Sequence, residues 1–424
     1  MPLPRLAPLV SLVLTAGAIT SAADWSGWRG PTGMGQTDDK KLPLTWNGKT
    51  GENVKWKVEL PLQGKGEGKS GVDQNQSSPI VHRGRVFATV SFWDGKTDPK
   101  QHPEHHVVCY KADDGKLLWN EKVEPGPWLF ADLRGGYTAP TPAADDERVY
   151  VVFGSSVIAA LDHDGKQLWR KEVKPFKFDV ALGASPVLFG DTVILQCDEL
   201  DKQSRLVAFD KKTGDVAWEA LRPTVGFAHS TPVIAEIGGK KQLLVAANNA
   251  LQGVDPTNGK VLWTCSASGD TVSPVLGGGL VYLDSGRGGT GVAVGPSGTG
   301  DVTKTHLKWK TGTMPEGFGS PVIVGDYLYR LHSPGVLKCL SLATGKVVYS
   351  ESLPGVSNHA SPIAAPDGRI YLASAGRTYV VKAGDKFEIL ATNDLGDDSQ
   401  ASPAVADGRM FLKGRKTLYC VGEK

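Results

Sequence analysis

The chain has 424 residues, 40% hydrophobic and 22% charged, with a formal net charge of only +2. That balance argues against nucleic acid as a main partner, and no segment after residue 23 approaches the roughly 20 apolar residues of a membrane-spanning helix. Its 52 glycines and 27 prolines, without a collagen-like period, ask for many tight turns, as in sandwiches, barrels and propellers.

In chain order, residues 1–23 form a secretory signal peptide. Arg5 gives a weak positive start, residues 9–19 an apolar run too short for a span, and Ser21-Ala22-Ala23 a small-residue cleavage site before Asp24. No cysteine follows the run, so the expectation is a soluble, unanchored protein in the periplasm or outside the cell. Residues 24–52 are an N-terminal extension and residues 53–424 the folded body. Residues 53–60 contain Lys55-Trp56-Lys57-Val58 and resemble an outermost strand without a blade of its own. The stretch Gly64-Lys65-Gly66-Glu67-Gly68-Lys69 lacks the strand-to-helix context and the Gly-Lys-Ser/Thr ending of a phosphate loop and is read as flexible.

From here a repeat sets the pattern. A Ser/Thr-Pro pair followed by apolar residues recurs at Pro79, Pro142, Pro186, Pro232, Pro274, Pro321, Pro362 and Pro403, with spacings of 63, 44, 46, 42, 47, 41 and 41 residues. After the first, these match the period of a four-stranded propeller blade. Each unit opens with the anchor strand and turns on residues that tolerate positive φ, such as Pro366-Asp367-Gly368 or Gly325-Asp326. It returns, makes a third strand, and ends on a fourth that carries an aromatic residue. These aromatics are Trp119, Trp169, Trp218, Trp263, Trp309 and Tyr349, with Trp56 in the orphan strand. One large side chain per blade implies docking between neighbours, and truncating such a buried ring costs roughly 3–5 kcal/mol. The unit at residues 402–420 has three strands, so residues 53–60 are expected to supply its fourth and close an eight-bladed, all-β ring without an open edge.

The candidates for chemistry are few. Cys109, Cys197, Cys265, Cys339 and Cys420 are widely spaced and read as buried free thiols. His102, Glu104, His105 and His106 fall in the insertion that lengthens the first spacing, and Pro99 and Pro103 make an exposed polar loop the expectation there rather than a metal site. Two residues before each anchor Ser or Thr stand Gln76, Ala139, Gly183, His229, Thr271, Phe318, His359 and Gln400. Innermost strands begin near the axis, so this ring should line one mouth of the central channel. Gln76, His229, Thr271, His359 and Gln400 are its candidate ligand-binding residues. One position upstream adds Asn75, Thr138, Asp270, Asn358 and Ser399.

The segments Ala208-Phe209-Asp210-Lys211-Lys212-Thr213-Gly214-Asp215-Val216-Ala217-Trp218 and Val254-Asp255-Pro256-Thr257-Asn258-Gly259-Lys260-Val261-Leu262-Trp263 resemble the A-x-D-x-x-T-G-x-x-x-W docking motif. That motif marks pyrroloquinoline-quinone (PQQ)-dependent dehydrogenases and the assembly factor BamB. Trp28-Arg29-Gly30-Pro31-Thr32-Gly33-Met34-Gly35 is similar to the start of exported PQQ-like repeat proteins. The resemblance spans residues 53–420 and implies a quinoprotein-alcohol-dehydrogenase-like propeller. Dehydrogenases of that kind hold PQQ in the central funnel with calcium, an aspartate base and often a disulfide of adjacent cysteines. Adjacent cysteines are missing here, and the acidic candidates for a base, Asp270 and Asp398, sit near blade starts without a set of calcium ligands assembled by spacing. Fold does not carry function. The reading is therefore a non-catalytic exported scaffold for a protein, peptide or glycan partner, acting as a monomer without cofactor, metal or nucleic acid. A PQQ-dependent dehydrogenase, and a small-ligand binder using the funnel, stand as the alternatives.

Overall fold

A computed structural model describes residues 24–63, 70–129, 132–174, 182–397 and 399–423. The proposed signal peptide, the stretch at residues 64–69 and Asp398 lie outside the described residues. The rest forms eight sheets in a ring, each built on four antiparallel strands running outward from the axis, with a fifth short strand added to blades 1 and 4. Blade 1 spans residues 71–123, blade 2 143–172, blade 3 187–221, blade 4 233–266, blade 5 275–316, blade 6 322–352 and blade 7 363–394. Blade 8 takes its three inner strands from residues 404–422, and strand Val54–Glu59 completes it by pairing antiparallel with Thr417–Gly422. The ring is thus closed by an N-terminal strand.

The anchor pair has a definite job. The backbone N–H of Ser78 donates to Thr141 Oγ1 of the next blade at 2.9 Å. Thr141 donates likewise to Ser185, Ser185 to Thr231, and Thr231 to Ser273, each at 3.0 Å. Ser273 donates to Ser320 at 3.0 Å, Ser320 to Ser361 at 2.9 Å, Ser361 to Ser402 at 2.8 Å, and Ser402 back to Ser78 at 3.1 Å. Every blade is stitched to the next by one hydroxyl, in one rotational sense. These N–H groups point toward the neighbouring blade, where no strand of their own blade can satisfy them, and that blade's short hydroxyl side chain does. The proline that follows removes the next donor and fixes φ at the strand start.

The docking residues sit between blades. Trp56, Trp119, Trp169 and Trp309 donate their indole N–H to carbonyls of the following blade, at Ala112, His163, Lys211 and Leu342, over 2.8–2.9 Å. Each ring lies against the glycine of that blade's last turn. A Cβ on Gly115 would come within 2.8 Å of the Trp56 ring, and one on Gly214 within 2.6 Å of Trp169. Both glycines also have φ above +70°, so the Thr-Gly of the motif answers two demands at once. Asp210 completes the turn by accepting from the N–H groups of Lys212 and Thr213. Trp218 lies in the same way on Gly259, and Tyr349 packs against Phe387 at 5.6 Å.

Trp263 departs from the pattern. Blade 5 replaces the tight turn with an insertion whose strand Gly300–Asp301 pairs in parallel with the outer edge of blade 4. The Trp263 indole turns back over Gly253 of its own blade and donates to Gln242 Oε1 at 2.9 Å.

The histidine-rich segment also differs from the loop expected of it. Glu104–Lys111 is a strand paired with Arg85–Trp93. His105 is fully buried, stacked on Phe153 at 4.6 Å and hydrogen-bonded to Ser155 Oγ at 2.9 Å. Alternation through Val107 and Cys109 continues into His105, and this outweighs the two upstream prolines. All five cysteines are free and buried.

Residues 25–37 cross the channel on the side of the hairpin turns. Trp25 bridges Val81 of blade 1, and Ser26 accepts from Ala144 of blade 2. Arg29 Nη2 donates to Pro321 O next to blade 6 at 2.6 Å, Met34 packs with Val233 of blade 4, and Gln36 bridges Ala364 of blade 7. Since blades 2 and 6 lie on opposite sides of the axis, the segment is a plug.

Candidate functional site

With one end plugged, the channel becomes a blind cavity of about 410 Å³, within the range of small-molecule sites. All eight positions read two residues before the anchors line it: Gln76, Ala139, Gly183 and His229 on blades 1–4, then Thr271, Phe318, His359 and Gln400 on blades 5–8. These segments lead into the innermost strands, and on blade 1 the residue between ring position and anchor, Ser77, faces blade 8, where it meets Lys413. Below the ring come the anchor hydroxyls of Ser78, Thr141, Ser185, Thr231, Ser361 and Ser402, and Trp28 of the plug forms the floor.

The structure therefore brings the candidates Gln76, His229, Thr271, His359 and Gln400 around one cavity. Gln76 Nε2 donates to Gln400 Oε1 at 2.6 Å and to Arg134 O at 3.2 Å. His359 stacks on Phe318, centroids 4.8 Å apart and planes 29° apart. His229 Nε2 lies 4.0 Å from Asp270 Oδ1.

The position one residue upstream is mostly scaffold. Asn75 Oδ1 accepts from Ser91 N and Thr138 Oγ1, and Ser399 Oγ accepts from Ala401 N. Asp270 alone reaches the site, through Arg287. Blades 8 and 1 are joined behind the wall by Lys413, whose Nζ donates to Ser77 O, Ser77 Oγ and Thr89 O at 2.7–3.1 Å. Burial pulls the Lys413 pKa down to about 7, against the pull of Asp73.

Four lining residues escaped the repeat-based reading: Trp28, Arg134, Gly135 and Arg287. None occupies a repeat position, so periodicity could not find them. For Arg287 the signal was the run Asp284-Ser285-Gly286-Arg287-Gly288-Gly289, a polar glycine-rich break after a strand. Buried Arg330 grips Asp284 through two bonds of 2.8 and 3.0 Å, and Asp284 accepts from Gly286 N at 2.9 Å. Burial alone would raise the Asp284 pKa, but the Arg330 charge and hydrogen bonds hold it below the usual carboxylate range. That pair fixes the turn that leads into strand Arg287–Val294, whose first residue lines the cavity. Arg287 Nε binds Asp270, and its guanidinium lies 5.8 Å from the Phe318 ring centre.

The lining chemistry does not fit PQQ with calcium. A calcium ion asks for six to eight hard oxygen ligands rich in carboxylate. Among the described residues no Asp or Glu lines the cavity, two arginines do, and Asp270 is already bound to Arg287. No group of three or more His, Cys, Asp or Glu suited to a metal occurs among the described residues.

The family model described as outer membrane protein assembly factor BamB matches residues 103–351. Outer membrane protein assembly factor BamB of Moranella endobia (strain PCIT) is 26% identical over 256 residues. That stretch is 56% of this chain and 62% of the relative, so less than two thirds of the relative's length is matched. Among solved structures, BamB from Moraxella catarrhalis superposes with a TM-score of 0.60 at 12% identity, covering 88% of this chain and 97% of that one. A europium-containing methanol dehydrogenase gives 0.54 at 11% identity, covering 94% and 89%. At such identities the two structures speak for the fold alone.

Proposed function

The chain belongs to the family of the outer membrane protein assembly factor BamB, and from that premise we propose that it is a non-catalytic binding propeller, exported from the cytoplasm, that docks a protein partner across the face holding the cavity mouth. The observation that carries the reading is a single-mouthed cavity whose described residues offer amides, imidazoles, hydroxyls and aromatic rings but no carboxylate for acid–base or metal work. Function lives in the site rather than in the fold, and this site is built to hold. The family's named role concerns its relatives; for this chain it favours a protein as the main partner, with peptide and glycan as the other occupants the mouth can accept. No helix among the described residues is long and apolar enough to cross a membrane, which agrees with a partner met at the protein surface.

Two measurements test this together. Purified protein supplied with PQQ and calcium should neither retain the quinone nor reduce a dye. A photo-crosslinking residue at Gln400, beside the mouth, should capture a defined partner in envelope extracts, whereas one at Asp191, on the turn side, should not. Dye reduction, or capture from Asp191 alone, would overturn the proposal.

A further inference from the structure

The hydroxyls that stitch the blades have a second capacity. Each oxygen accepts one backbone N–H from the preceding blade, and a hydroxyl that accepts still has its own proton to give. Six of the eight, on Ser78, Thr141, Ser185, Thr231, Ser361 and Ser402, line the cavity below its mouth, and none is more than 8% exposed. None of these six donates to any of the described residues. Around the axis they make a collar of buried donors.

A positive charge stands by the floor. Arg29 is buried, its Nη2 donates to Pro321 O, and its Nε and Nη1 have no partner among the described residues. Its guanidinium lies 5.5 Å from the ring centre of Trp28, the floor of the cavity. Burial and the charge of Arg330 lower its pKa to about 9, and no carboxylate opposes them. The two arginines on the wall are each paired, Arg134 with Asp132 and Arg287 with Asp270, whereas Arg29 is charged at neutral pH without a counter-ion among the described residues. Water can take the collar's protons, but each water brings two protons of its own, and no carboxylate among the described residues lines the cavity to receive them. An oxyanion brings acceptors only, and its charge offsets the buried guanidinium.

We propose that the blind end of the funnel binds a small oxyanion, namely phosphate, sulfate or the carboxylate of a small organic acid, seated over Trp28 with its oxygens on the collar hydroxyls and its charge balancing Arg29. Within about 410 Å³ there is room for waters that bridge the anion to hydroxyls it does not reach. Stitching alone accounts for a hydroxyl at each anchor, but it uses a lone pair of the oxygen and leaves the proton for a ligand. The site goes beyond partner docking and does not rest on it, since the collar lies below the mouth on which a protein would settle.

Titration calorimetry on the full protein in a chloride-free buffer tests it, with phosphate, sulfate and acetate as separate probes and glycerol as the uncharged one. At least one anion should bind saturably, glycerol should not, and the ranking tells which oxyanion is preferred. Ala139 lines the cavity outside the stitches. Ala139→Asp, which sets a carboxylate beside the anion, should weaken binding about tenfold or more, whereas the isosteric Ala139→Asn should stay within about threefold of the parent. Arg29→Met should also lose about tenfold while melting at or above the parent, because it removes a buried unpaired charge. Heat from no anion, equal binding of glycerol, equal affinity in Ala139→Asp and Ala139→Asn, or full affinity in Arg29→Met overturns the inference. Where a variant fails to fold, crystals of the parent grown with and without the preferred anion decide: difference density inside the collar supports the site, and density elsewhere or none overturns it. Crosslinking at Gln400 reads docking separately, so a protein that captures its partner but takes up no anion loses this site and keeps its proposed function.

Discussion

A buried histidine gives the sharpest single-residue expectation. Burial among Phe153, Tyr137 and Ser155 drives the His105 pKa down to about 3 from an ordinary 6.5. The folded state therefore holds the neutral ring, and its stabilising share is complete above pH 6.5 and lost as the pH falls toward 3. At about pH 4.5 the loss from this one residue should reach roughly 2–3 kcal/mol. His105→Phe keeps the stack and removes the titration, so urea melts at pH 6.5 and about 4.5 should differ less in the variant than in the parent by a comparable amount. An equal difference would mean that the acid sensitivity arises elsewhere, with His332, lowered to about 4 by burial, the next suspect. At this scale the sequence was only partly readable. The five candidate mouth residues were found because they keep a fixed offset from a repeating pair. Arg287 and Trp28 were not, because one stands at a strand start fixed by the Asp284–Arg330 pair and the other in a plug held by contacts hundreds of residues away, such as Arg29 with Pro321.

Between neighbouring blades, the unit that matters is a ring against a turn. Gly214, with φ of +73°, and Trp169 form one such unit. Gly214→Ala should cost roughly 2–4 kcal/mol, combining the left-handed backbone with a displaced ring, and Trp169→Ala roughly 3–5 kcal/mol. Because the double variant has room for the new methyl group, the two costs should fall short of additivity by at least about 1 kcal/mol, a shortfall that a double-mutant cycle in denaturant reads directly. Strict additivity would show that the glycine is needed only for its backbone. This element was legible in advance, since an aromatic residue at a constant distance after the turn glycine can be seen without coordinates. The reversed indole of Trp263 was not, because it depends on an insertion in the following blade that takes the place of the usual turn. The strand through His105 was hidden for a simpler reason: prolines marked a break, and the alternation that overrode it begins only two residues later.

On the scale of the whole ring, closure rests on strand Val54–Glu59. Deleting residues 53–60 should expose the edge of Thr417–Gly422, lower stability by several kcal/mol and promote aggregation, as thermal melts and light scattering would show. Unchanged melting would mean that the ring closes by other contacts. The eight hydroxyl stitches carry a different implication. The bond from Ser402 to Ser78 has the same donor, the same acceptor type and nearly the same length as the seven others, although it alone joins the last blade to the first. The circle of bonds therefore has no first member, and the order in which the polypeptide visits the blades is immaterial to it. A circular permutant opened at the exposed turn of Gly190 and Asp191, with its former termini joined by a flexible linker, should regain the same circle and melt within a few degrees of the parent. Synthesis would then begin in the middle of a blade, and the fold would still be specified by a pattern that is read around an axis rather than along a chain.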